Sequence, residues 1–147
     1  MNSEHEALAA LESAETPHTV ETLSGTDCWG YLNTNSVGRL GVVGQGGVDI
    51  FPVNYLTHRS TVLFRSAPGL KLIDITNNSA VAFEIDGVDN GQRWSVVVRG
   101  SAVRLGSDSE IQDTKINQLP TLTPTDKWNY VRITPRTVTG RRFVAVA

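Results

Sequence analysis

From Arg39 onward the chain repeats one pattern, a short apolar run followed by turn residues. Leu40–Val43, Val48–Leu56, Thr61–Phe64, Ala80–Ile85, Trp94–Arg99, Ala102–Leu105, Tyr130–Val138 and Arg141–Val146 are rich in β-branched and aromatic residues, the composition that suits a pleated, half-buried strand. Gly44-Gln45-Gly46-Gly47 and Thr57-His58-Arg59-Ser60 read as hairpin turns. Asp86–Arg93 reads as a polar loop, and Thr139-Gly140 as the break between the last two strands. Gly100 interrupts an otherwise apolar run and predicts a bulge. Connections this short favour antiparallel pairing, because parallel strands need a crossover of a dozen residues or more. Six or more such strands are most economically closed into a barrel, which removes exposed sheet edges.

Three helices are expected around these strands. Thr26 or Asp27 is placed to cap a short one carrying Cys28, Trp29, Tyr31 and Leu32. Pro68–Asn77 and Ser109–Leu119 have apolar residues at helical spacing. Val37-Gly38-Arg39-Leu40 reads as a helix-to-strand junction with Gly38 as a left-handed cap. Residues 4–14 are rich in Ala, Leu and Glu, which favours a helix. We divide the chain into an acidic arm, residues 1–23, helical or disordered, and one mainly β domain, residues 24–147.

Charge sharpens that division. Residues 1–38 carry six acids and no Lys or Arg; the remainder carries all 13 basic residues and a net +4. A chain of 147 residues can bury about 70% of the surface its unfolded form exposes, so it folds without disulfides or metal. The body is far less basic than a nucleic-acid binder. Cys28 is the single cysteine, which rules out an intrachain disulfide and fits a reducing compartment, the cytoplasm. No metal-ligand spacing joins His5, His18, His58 and Cys28, so no metal is expected. There is no secretory signal and no apolar run long enough to span a membrane.

Three segments carry candidate chemistry. In Phe64-Arg65-Ser66-Ala67-Pro68-Gly69-Leu70-Lys71 a strand ends at Arg65, Ser66 stands at an N-cap position and Pro68 falls in the first helical turn. The free N–H groups of such a helix start form an anion site, to which Arg65, Ser66 and Lys71 add charge and donors. A plain strand-to-helix turn with two solvated cations fits the same residues. In Ile50-Phe51-Pro52-Val53-Asn54-Tyr55 a proline inside a strand marks an edge, a bulge or a place where a ligand meets the backbone. In Gln92-Arg93-Trp94-Ser95-Val96-Val97-Val98 the Trp94 ring is either a stacking surface or a core anchor. No residue set suggests a catalytic triad, and no catalytic residue is named.

Taken in order, Val37-Gly38-Arg39-Leu40, Pro52-Val53-Asn54-Tyr55, Phe64–Lys71, Val81-Ala82-Phe83-Glu84-Ile85-Asp86 and Trp94–Gly100 resemble the pyridoxamine 5'-phosphate oxidase-like superfamily, the FMN-binding split barrels. The resemblance covers residues 24–146. It implies a split β-barrel that forms a homodimer, with flavin at the dimer interface and a small-molecule electron donor or acceptor. It implies that Arg65, Ser66 and Lys71 hold the FMN phosphate, that Pro52, Val53 and Asn54 face the isoalloxazine, and that Trp94 and Ser95 line the site, from the partner subunit. The expected activity is that of a flavin-dependent oxidoreductase. Short members of the superfamily use the deazaflavin coenzyme F-420 instead, and others bind haem, so a non-catalytic flavin or haem binder is a further reading. The chain ends at Ala147 without the C-terminal extension of pyridoxamine phosphate oxidases, and Arg65 stands where the nitroimidazole-reductase branch tends to carry His. Neither of those two activities is therefore expected.

Overall fold

A computed structural model of the chain describes residues 18–66, 75, 79–119 and 129–145. The elements run β1 (His18–Thr22), α1 (Gly25–Thr34), β2 (Val37–Gly44), β3 (Gly47–His58), β4 (Thr61–Ser66), β5 (Ala80–Asp89), β6 (Gln92–Arg104), α2 (Asp108–Thr114), a 3₁₀ turn (Ile116–Gln118) and β7 (Asn129–Ala145). The strands form one antiparallel sheet in the order β1-β7-β4-β3-β2-β5-β6. A further pairing of β6 with β7 closes six of them into a barrel, with β1 outside on β7. This is the mainly β split barrel expected.

The barrel is incompletely laced. β3 and β4 pair over Tyr55–His58 and Thr61–Phe64, and this ladder does not extend over residues 47–54 of β3. On the other side of the ring β5 pairs with β6 over ten residues, without interruption. The main core fills the barrel with Leu40, Val42, Phe83, Ile85, Trp94, Val96, Val98 and Val131. A second, smaller core lies outside β4, where Leu63 meets Leu105, Ile116 and Leu119 beneath α2 and the 3₁₀ turn. β4 is therefore buried on both faces, which explains its unbroken Val62-Leu63-Phe64 run.

Several expectations change. The Asp86–Arg93 loop is two strand ends around the turn residues Asn90 and Gly91, both at positive φ (51° and 76°). Asn-Gly is the preferred pair for that hairpin turn. The last two strands are one 17-residue strand, β7. Gly140 does not break it but gives room to α1, because a Cβ there would lie 2.7 Å from Cys28 Sγ. The Ser109–Leu119 helix stops at Thr114, where Lys115 takes a left-handed φ of 61° and the 3₁₀ turn follows. Ser24, not Thr26 or Asp27, caps α1 by accepting from the Asp27 N–H at 3.1 Å. Gly38 is an inward position on β2 and not a helix cap; a Cβ there would run into the Phe83 ring.

Residues 18–22, assigned above to the arm, form β1 and pair with residues 141–145 of β7. Their alternating Thr, Val, Glu, Thr composition suits an edge strand. The helix expected over residues 4–14 lies outside the described residues. So does that over Pro68–Asn77, except for Ile75, which is helical and buried in the main core. The bulge expected at Gly100 is present, with the register shifting between Arg99 and Gly100.

Candidate functional site

β3 owes its exposed stretch to its own backbone chemistry. The Tyr55 N–H donates to Ser36 O at 3.0 Å. Antiparallel alternation then turns residues 53 and 51 toward β2 as well, and turns Pro52 to the side that β4 leaves unlaced. The missing proline N–H therefore costs no ladder bond. The edge reading of Pro52 is the one the structure shows.

At the point of divergence the two candidate segments meet. The ladder ends at Tyr55 opposite Phe64; the same register continued would set Asn54 against Arg65 and Val53 against Ser66. Val53 and Ser66 are buried, Asn54 and Pro52 are exposed, and Arg65 is half-buried. The guanidinium of Arg65 is anchored from behind. Its Nη1 donates to Asn117 O at 3.0 Å and its Nη2 to Leu119 O, which ties the end of β4 to the 3₁₀ turn. Lys71, the third expected phosphate ligand, lies outside the described residues.

On the β2 side of β3, away from β4, is a cleft of about 410 Å³ lined by residues 34–39, with Pro52 and Asp86 of β5. Its charged wall is a triad. Arg39 Nη1 lies 3.1 Å from Glu84 Oε1 and 3.1 Å from Asp86 Oδ2. The Glu84 carboxyl titrates above the usual range, first because of partial burial and then because Asp86 is close; Arg39 works against both. The groups that line it are mixed: the Arg39 guanidinium, the Asp86 carboxylate, the Asn35 amide, the Ser36 and Thr34 hydroxyls and the Pro52 ring. Sequence reading missed Arg39 and Asp86 because it placed them at a junction and in a loop. Their alternation with the buried Leu40 and Ile85 is the signal that both sit on strands facing outward.

Trp94 and Ser95 stand away from Arg65. Arg65 pairs with Tyr130 and Trp94 with Arg142, twelve residues apart along β7, ~40 Å of extended strand. Ser95 is nearer the Pro52 cleft, because it pairs with Asp86 of the cleft wall. Trp94 is also corrected in role: it is 5% exposed, and its ring stacks on Tyr31 with centroids 4.0 Å apart and planes at 18°. A Cβ on Gly87 would lie 2.8 Å from it. Trp94 is a core anchor, not an open stacking surface. Tyr31 is held in turn by Arg142 Nη2, which donates to its hydroxyl at 2.8 Å, while Arg142 Nη1 lies 3.5 Å from Glu21 on β1. Ser95, the next residue on β6, faces outward and is partly exposed.

Among the described residues no cluster of three or more His, Cys, Asp or Glu can hold a metal ion. No described helix is long and apolar enough to cross a membrane. Cys28 is buried, and burial, followed by the charge of Asp27, pushes its thiol up.

Comparison with known proteins agrees with this architecture. The family model for pyridoxamine 5'-phosphate oxidase matches residues 24–142. An uncharacterised protein of Mycobacterium tuberculosis is 41% identical over 83 residues, 56% of this chain and 76% of its own length. A Corynebacterium glutamicum structure, named provisionally as a pyridoxamine 5'-phosphate oxidase, is 38% identical with a TM-score of 0.77. It spans 86% of this chain and 99% of that one. An FAD-binding protein of Mycobacterium smegmatis is 36% identical with a TM-score of 0.70, over 84% and 97% of the two chains. An FAD-binding protein from Mesorhizobium loti is 25% identical with a TM-score of 0.76, over 86% and 98%.

Proposed function

The chain belongs to the pyridoxamine 5'-phosphate oxidase family, and from that premise we propose that it binds a flavin, FMN, and works as a flavin-dependent oxidoreductase. The observation that carries the reading is the divergence of β3 from β4. Continued in the same register, an exposed, proline-bearing strand edge comes level with Arg65 and Ser66. A flat heterocycle presents donors and acceptors along its rim, and the outward side of a strand edge can read them. Pro52, Val53 and Asn54 supply that edge. Ser66 and Lys71 supply the phosphate contacts. Arg65, with two nitrogens engaged by carbonyls, contributes its charge and steadies the end of β4. Bound there, the flavin supplies the electron transfer, and the protein supplies position and electrostatics. FAD-binding relatives support a flavin of either length.

The same reading includes a homodimer. Val37, Val43, Val48 and Ile50 are 59%, 45%, 70% and 68% exposed, and they lie on the outer face of β2 and β3 beside Pro52. So much exposed aliphatic surface next to a site marks a surface for association. A second copy seated there brings its own Ser95 face within reach of a flavin that one chain holds only partly. Light scattering should return twice the 16.0 kDa chain mass, and Ile50→Asp should return the monomer. A monomeric wild-type protein removes the dimer from the reading. The reduced, buried Cys28 fits a cytoplasmic setting.

Absorbance of the purified protein tests the flavin. The expected result is the two-banded flavin spectrum, or quenching of FMN fluorescence on titration into the colourless protein. Neither band nor quenching overturns the proposal. Retention of F-420 in place of FMN reassigns the chain to deazaflavin chemistry, and a Soret band reassigns it to haem.

A further inference from the structure

The β6–β7 bulge places two arginines side by side on the outer surface of the barrel. On β6 the buried residues are Trp94, Val96, Val98 and Ala102, so Arg99 faces outward. Arg99 is opposite Thr137 and Gly100 is opposite Pro135, which leaves Arg136 as the extra residue on β7. Ile133 is buried and Val138 packs on the core, while Arg136 and Thr137 are both exposed. Re-aiming one side chain is what a bulge does. Gly100 makes it possible here. A Cβ at that position would collide with Thr134 O and lie 2.9 Å from Pro135 Cα.

The two arginines line one cleft of about 200 Å³, together with Gly100, Ser101 and residues 80–82 of β5. Like charges set together across a strand pair are destabilising. Among the described residues neither arginine has an acidic partner. The acid nearest in register, Glu84 on β5, is engaged by Arg39. Two planar, permanently charged donors beside a hydroxyl suit an oxyanion, which guanidinium groups grip in pairs of parallel bonds. A space of this size admits a small anion and excludes a whole flavin. It is also distinct from the split between β3 and β4, since Arg136 lies seven residues along β7 from Asn129, the partner of Ser66.

We propose that the Arg99–Arg136–Ser101 cleft is a second binding site, for a phosphate-type oxyanion. The anion is either free phosphate or the phosphoryl end of a nucleotide, and the test separates them. The full-length protein is titrated with inorganic phosphate and, separately, with adenosine 5'-monophosphate, following the amides of Ala82, Gly100 and Ser101 by NMR. Chloride at matched ionic strength is the control. Saturable shifts at these amides are expected with phosphate and not with chloride. Arg99→Ala and Arg136→Ala should each weaken binding about tenfold, in the range of a lost charge-assisted hydrogen bond. If Arg136→Ala fails to fold by circular dichroism, Arg136→Gln, which keeps the stem across the bulge, carries the same expectation. Tighter binding of the nucleotide than of phosphate identifies a nucleotide site, and equal or weaker binding identifies a free-anion site. Shifts that chloride reproduces, or that persist unchanged in the folded variants, overturn the proposal.

Discussion

The two sides of this barrel are built from the same kind of strand and differ in how completely they are closed. On the β5–β6–β7 side Phe83, Ile85, Trp94, Val96, Val98, Val131 and Ile133 fill the core. Trp94 fits against Tyr31 because Gly87 makes room, and α1 fits against β7 because Gly140 does. The surrounding charges, Arg142 with Glu21 and with the Tyr31 hydroxyl, tie the elements to one another. On the β2–β3–β4 side the lacing stops after Tyr55 and Phe64. There four aliphatic residues, Val37, Val43, Val48 and Ile50, are exposed together, a proline occupies a strand, and a cleft of about 410 Å³ opens. The inward face of the first side packs on itself and stabilises the molecule, and only its outer surface, at Arg99 and Arg136, holds charge in a cleft. The second leaves apolar surface and strand edge for something else to cover, the arrangement expected of a binding region.

The comparison is broken most severely by emptying the closed side. Trp94→Ala removes a ring that is 5% exposed and should cost about 3–5 kcal/mol, read as a lower denaturant midpoint. If Trp94 serves only the core, flavin affinity per folded molecule stays near wild type. A normal stability with a large loss of flavin affinity would return Trp94 to the binding site and erase the division between the two sides.

A smaller effect is expected on the open side, and it separates two residues that the sequence alone treats alike. Lys71→Ala should weaken FMN by about 1.5–3 kcal/mol, the range for a charge-assisted hydrogen bond, and leave riboflavin binding unchanged because riboflavin lacks the phosphate. Arg65→Ala should lower stability as well, since it frees the carbonyls of Asn117 and Leu119, and it should weaken both ligands. Calorimetric titration with each flavin checks this. Identical behaviour of the two variants would mean that the anchoring of Arg65 has no consequence for binding.

Most strands were legible because period-two alternation and paired turn residues are local signals. What escaped was set by distant partners. The Asp86–Asp89 stretch looked like a loop because it is polar and contains glycine; it is strand because it pairs with residues 92–95 of β6, and its glycine leaves room for Trp94. β1 looked like part of an acidic arm because only pairing with residues 141–145 gives it a role. At the site, Pro52 and Arg65 announced themselves through unusual chemistry. Arg39, by contrast, is an ordinary strand residue until Glu84 and Asp86 are folded against it, and the anchoring of Arg65 depends on a turn more than 50 residues away.

That triad gives the finest test of the open side, because it compares one carboxyl with its neighbours. Glu84 titrates above the usual range owing to partial burial and to Asp86, with Arg39 opposing. A carboxyl whose folded pKa is raised favours folding most when protonated. Its contribution is therefore present below the ordinary glutamate pKa and is lost as pH rises through the folded value. Side-chain carboxyl NMR should place the Glu84 midpoint above that of an unperturbed glutamate. Asp86→Asn removes a like charge and should bring the midpoint down, whereas Arg39→Gln removes the opposing cation and should push it further up. Glu84, Asp86 and Arg39 are 34%, 46% and 57% exposed at the side chain, so solvent screens the group and each effect on stability is small. Opposite responses to the two substitutions mean that the cleft wall acts as one coupled electrostatic unit; a midpoint indifferent to both would reduce it to three independently solvated side chains.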